Sequence, residues 1–182
     1  MEYELRQSFS TIDDSITSEL NNCEKIFEIK TLESVLNILN LFIEKNKGLR
    51  NYSQKIKKQE KSIFSSKTIP TVTLKDYLER IQSYTQIENN TLIISLIYID
   101  KLLQNTNLIL TPYNIHRILF TSIILALKYN EDLIYDFSLY SKIAGVGVKE
   151  LKNLEIEFIH LINFSLFVNT EVFEKYKQYL LN

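Results

Sequence analysis

Few side chains in this sequence have a type and spacing that could do chemistry. His116 and His160 are the only histidines, and neither has a Cys, Asp or Glu partner at a recognised metal-ligand spacing. Cys23 is the single cysteine, has no nucleophile signature around it, and reads as a small apolar filler. The stretch AGVGVKEL (144–151) carries the glycines and lysine of a phosphate loop. It lacks the four-residue gap before Gly-Lys-Ser/Thr, however, and follows a helical pattern instead of a strand. A helix-to-helix turn capped by Gly145 is the expected structure there. The basic cluster KIKKQEK at Lys55–Lys61 could meet an acidic partner or a nucleic acid, yet it includes Glu60 and has the make-up of a solvated connector. No catalytic residue, metal site, cofactor or small-molecule substrate is expected.

The elements that would position any site are helices. Apolar residues make up 45% of the 182 residues, with only 3 Gly and 2 Pro, too few chain-breakers for a turn-rich β-sandwich or barrel. The length suits one domain with a real core. Net charge is −1, from 21 basic and 22 acidic side chains, so no global basic field draws the chain to nucleic acid. One cysteine allows no internal disulfide. The start, MEYELRQSFSTIDD, is acidic and polar, without the apolar core of a signal peptide. The apolar stretches Leu92–Ile99 and Ile118–Leu127 fall short of the ~20 residues that cross a bilayer. An intracellular setting, nucleus or cytoplasm, is expected, with no membrane partner.

Residues 1–31 are weakly patterned and partly helical, with Ile12, Ile16, Leu20 and Ile26 at helical offsets. Residues 32–67 read as a lead-in helix, about Leu32–Lys45, and a polar connector, GLRNYSQKIKKQEKS. After Pro70, Thr73 offers an N-cap with Asp76 in the first turn, and Leu74, Tyr77, Leu78, Ile81 and Tyr84 form one helix face. A second helix starts after Asn89 or Asn90. A third opens at Thr111–Pro112, as cap then proline. Asp136 caps a fourth that stops at Gly145; a fifth runs about Val148–Ile162 and a sixth about Thr170–Leu180. The second and third helices are apolar nearly all round, so they must lie inside the others. A compact bundle around one central helix follows.

The string YLERIQSYTQIENNTLIISLIYIDKLL at Tyr77–Leu103 resembles the first two helices of the cyclin box. The ending ALKYNED of the third helix and NLEIEFIHLINFSL of the fifth are similar to the family's segments, in the same order. The resemblance spans about Thr68–Val168. PTVTL, YLERI, NIHRI and GVGVKELKNLE look like the hallmarks of the P-type (U-type) group. The implied architecture is all-α: a single cyclin-box five-helix bundle at 68–168, an N-terminal helix, and a C-terminal helix at 169–182.

The resemblance also implies a function. A cyclin is a non-catalytic subunit that binds a cyclin-dependent protein kinase and rotates the kinase's regulatory helix inward. Lys128 and Glu155 match the family's charged kinase-binding positions, with Leu125, Tyr129, Ile156, Ile159 and Leu166 as apolar neighbours. From pattern alone, the leading reading is that Lys128 favours a helix C-terminus and Glu155 lies on a wet face; the joint motif match is what favours the kinase-binding one. Asp100 matches a box aspartate that holds a structural ion pair, and Arg80 is its candidate partner. Thr71 stands where many cell-cycle cyclins carry the arginine of a substrate-docking patch, so recruitment through that patch is not expected. A cyclin-fold adaptor in transcription, binding nucleic acid or another protein, is the alternative.

Overall fold

A computed structural model describes residues 29–132 and 134–181. Cys23 and the helical spacing at Ile12–Ile26 lie outside them. Among the described residues the chain is all helical, with no strand. Helix α1 covers residues 29–47. It is followed by α2 (Tyr52–Gln59), α3 (Leu74–Thr85), α4 (Asn89–Asn105), α5 (Ile115–Asn130), α6 (Phe137–Ala144), α7 (Val148–Leu161) and α8 (Thr170–Leu181).

Helix α5 is the hub, packing against α3, α4, α6 and α7. Every residue from Ile118 to Leu127 on it is buried, as its apolar girth requires, because no side of such a helix can face water without loss. Helix α4 lies beside it with Leu92, Ile93, Leu96, Ile97 and Leu102 in the same core.

Local signals end the helices where the sequence suggests. Thr73 Oγ1 accepts from Asp76 N at 3.1 Å, and Asp136 Oδ1 accepts from Leu139 N at 2.8 Å. Gly145 closes α6 with a left-handed φ of 72°, a conformation costly for a residue with a Cβ.

Two expectations need correction. The polar connector contains a helix, α2, and is not wholly exposed. Gln59 is buried, its amide lying against Asn114 and the Ile109 backbone. Just beyond, Phe64 is fully buried and meets the Phe158 ring edge-on at 6.0 Å. Lys57 and Lys58 in its last turn favour the helix C-terminus electrostatically. The second correction concerns α5, which starts at Ile115 and not at Pro112. Asn114 Oδ1 accepts from Thr111 N at 2.8 Å, and its Nδ2 donates to Ile109 O at 2.9 Å. That side chain turns residues 111–114 before the helix begins.

Candidate functional site

The last turn of α5 and the flank of α7 form one wall of the bundle, and a charged pair is set into it. Lys128 Nζ donates to Glu155 Oε1 at 2.6 Å and Oε2 at 2.9 Å. The side chains are 25% and 13% exposed. Lys128 Nζ also lies 3.9 Å from the centroid of the Phe137 ring at the start of α6, and Lys152 Nζ lies 5.2 Å from it. Lys128 sits in the last turn of α5, where a cation complements the helix dipole. On α7, Lys152, Glu155, Ile156 and Ile159 fall at helical offsets on one side, next to the face buried at Leu151, Leu154 and Phe158.

Around this pair the wall is greasy and open. Tyr129 is 50% exposed and Ile156 58%. Ile159 and Leu166 are half-buried, packed on the edge of the core. Leu125, in contrast, is buried in that core, because α5 is covered on all sides one turn before its end. It supports the wall from behind and is not a surface residue, which corrects its assignment to the interface.

Just past α7 the backbone takes a tight turn in which Asn163 and Phe164 both adopt left-handed φ values, 53° and 57°. For a bulky aromatic this is a strained conformation. The turn leaves Phe164 and Phe167 mostly exposed, with the Phe164 ring tilted against His160 at a centroid distance of 5.1 Å. Two α4 residues hold the segment. Tyr98 Oη donates to Leu166 O at 2.7 Å. Lys101 Nζ donates to Ser165 O at 2.8 Å and to Phe167 O at 3.1 Å. Burial pushes the Tyr98 phenol up to about 12 and the Lys101 ammonium down. Sequence reasoning missed this support. Tyr98 and Lys101 lie three apart in YIDKLL and so share a helix face, but nothing local says that a turn over sixty residues later rests on them.

The expected ion pair between Arg80 and Asp100 is not formed. The Arg80 guanidinium donates to the Ile143 carbonyl near the end of α6 and lies 5.2 Å from the Tyr77 ring centroid. Asp100 Oδ2 instead accepts from Gln104 Nε2 at 2.6 Å and from the Tyr176 hydroxyl of α8 at 2.5 Å. Arg80 thus closes α3 on α6, while Asp100 docks α8 on α4. Burial, with the adjacent carboxylate, raises the Tyr176 pKa and keeps its proton in that bond.

The two histidines part company. His116 Nε2 donates to Val72 O at 3.1 Å, and its ring meets Tyr77 edge-on at 5.0 Å. Its pKa is lowered by burial and by the nearby Arg80 charge. His160 is exposed beside Phe164. No group of three or more His, Cys, Asp or Glu side chains able to hold a metal occurs among the described residues. Nor is any described helix long and apolar enough to cross a membrane.

A helical bundle built round a central α5 is the architecture that the cyclin-box resemblance implies. The family model described as Cyclin matches residues 29–166. The chain belongs to the cyclin family, with a single cyclin box. It is 40% identical to Cyclin-U2-1 of Arabidopsis thaliana over 115 residues, which cover 63% of this chain and 52% of that protein. Cyclin-P3-1 of Oryza sativa subsp. japonica is 31% identical over 134 residues, 74% of this chain and 56% of the rice protein. PHO85 cyclin-7 of Saccharomyces cerevisiae is 29% identical over 162 residues, 79% of this chain and 57% of the yeast protein. The chain therefore spans about half the length of these relatives.

Proposed function

We propose that the chain is the regulatory subunit of a cyclin-dependent protein kinase, docking through the α5–α7 wall and stabilising the kinase's active conformation. Family membership and a yeast relative named as a PHO85 cyclin support the kinase class of the partner. The observation that carries the docking surface is the half-buried Lys128–Glu155 pair with the exposed Tyr129 and Ile156 beside its two members in sequence, followed by the exposed Phe164 and Phe167 just past α7. Aromatic and aliphatic anchors around a desolvated charged pair make the centre of a specific interface.

The mechanism is a population shift. A kinase needs its strand lysine paired with the glutamate of its regulatory helix for phosphoryl transfer. A subunit that binds the helix-in state more tightly raises that state's population by its differential affinity, supplying no catalytic atom. Lys128 keeps donor capacity and Glu155 keeps acceptor capacity for backbone groups of the incoming helix.

The test is reconstitution with a purified cyclin-dependent kinase catalytic subunit, reading complex formation and phosphorylation of a peptide. Wild-type chain is expected to bind and to raise activity. Ile156→Glu, which puts a charge at an exposed apolar position, is expected to abolish both with its melting temperature unchanged. Full activation by that variant would refute the assigned surface.

A further inference from the structure

A second unpartnered surface lies away from the α5–α7 wall, where α1, α4 and α8 leave an apolar groove of about 450 Å³. Its floor is made by the buried Leu39, Leu96 and Ile99. Its edges carry Leu41, Phe42 and Tyr179, which are 65%, 41% and 73% exposed. Three large apolar side chains around an apolar trough form the kind of patch that marks a binding surface. Lys45 stands on the α1 side and Lys175 on the α8 side. Lys175 pairs with Glu171, but both are largely exposed, so that i,i+4 contact is weak enough to be exchanged.

We propose that this groove is the docking site for the chain's own residues 10–27, which precede α1. The segment fits in three independent respects. The first is reach. The Lys30 ammonium donates to the Leu181 carbonyl, so the chain enters α1 beside the end of α8, the two helices that wall the groove. Groove residues on α1 begin at Ile38, about 12 Å from Lys30 at the helical rise per residue. A stretch of 28 residues ahead of α1 is ample to turn back over that distance.

The second is pattern. Ile12, Ile16, Leu20 and Cys23 are spaced i, i+4, i+8 and i+11, one narrow apolar stripe on a helix. The third is charge. Residues 1–28 carry seven acidic and two basic side chains, whereas residues 29–182 carry fifteen acidic and nineteen basic. At 100° per residue, Asp13 and Glu24 flank one edge of the stripe and Glu19 the other. The segment thus has acidic edges beside an apolar stripe, and the groove has a lysine on each wall beside an apolar floor. The recess near Lys55, Lys58 and Lys61 also offers positive charge, but it lacks the apolar floor that the stripe requires.

Docking on this groove does not rest on the kinase reading, since it uses neither α5 nor α7. Zero-length carbodiimide coupling of the full chain at low concentration, followed by mass spectrometry of the monomer band, tests it directly. Amide links from Asp13, Glu19 or Glu24 to Lys45 or Lys175 are expected. The variants Leu20→Glu and Phe42→Glu, one in the segment and one on the groove edge, are each expected to cut that yield about fivefold by putting a charge into an apolar contact. Links only to Lys55–Lys61, links found only in a dimer band, no links at all, or yields unaffected by both variants would each overturn the proposal.

Discussion

Lys128 and Glu155 close a 2.6 Å ion pair between the last turn of α5 and the middle of α7, with Phe137 beneath the ammonium. The pair therefore has a structural role beside the docking role proposed for it, and the two can be separated. Lys128→Glu and Glu155→Lys, made singly, each leave a half-buried charge without its partner and are expected to cost about 2 kcal/mol. The double reversal is expected to recover most of the melting temperature by restoring the pair. Kinase activation stays lost in all three, because the charges then face the partner with the wrong signs. Activation regained in the double variant would confine the pair to a structural role.

Arg80 and Asp100 have no partner in common: one closes on Ile143, the other on Gln104 and Tyr176. A double-mutant cycle with Arg80→Ala and Asp100→Ala is expected to be additive within about 0.5 kcal/mol in denaturant unfolding. Tyr176→Phe and Asp100→Ala are expected to be strongly coupled. A large coupling between Arg80 and Asp100 would restore the ion pair rejected above.

His116 supplies a pH dependence whose sign is fixed by its environment. Its folded pKa lies below the ordinary 6.5, so the unfolded chain takes up the proton first as pH falls. Its contribution is fully present above pH 6.5 and is lost as pH drops below that value toward the folded pKa. Unfolding free energies measured between about pH 7.5 and 5 are expected to fall less steeply for His116→Gln than for wild type. Identical slopes would mean that His116 titrates normally.

The turn after α7 trades local strain for exposed aromatics. Phe164→Gly removes a left-handed aromatic residue and is expected to leave stability unchanged or raise it by up to about 1 kcal/mol, while weakening kinase capture. Tyr98→Phe strands the Leu166 carbonyl and is expected to cost about 1–2 kcal/mol. Hydrogen exchange in the 165–168 segment should quicken in the Tyr98 variant. Unchanged exchange there would show that Lys101 alone secures the turn.

Much of this was legible in one dimension. The apolar girth of α4 and α5 announced a helix wrapped by others, and Thr73, Asp136 and Gly145 set helix ends through bonds spanning three or four residues. The motif strings around Lys128 and Glu155 pointed to two positions that the fold brings within 2.6 Å, although 27 residues separate them.

Sequence by itself determined most of the helices, the caps at Thr73, Asp136 and Gly145, and the central position of α5, because periodicity and capping act within a turn or two of backbone; α2 and the start of α5 were not legible there. Tertiary structure alone decided which partner each long polar side chain takes. Arg80 found a carbonyl 63 residues away and Asp100 a tyrosine 76 residues away, while Gln59 was drawn inward by Asn114. It also decided that Leu125 is core and Tyr129 surface, though they stand one turn apart on the same helix. The physical reason is that burial and long-range hydrogen bonding depend on what packs over a position, which no neighbouring residue in the chain encodes.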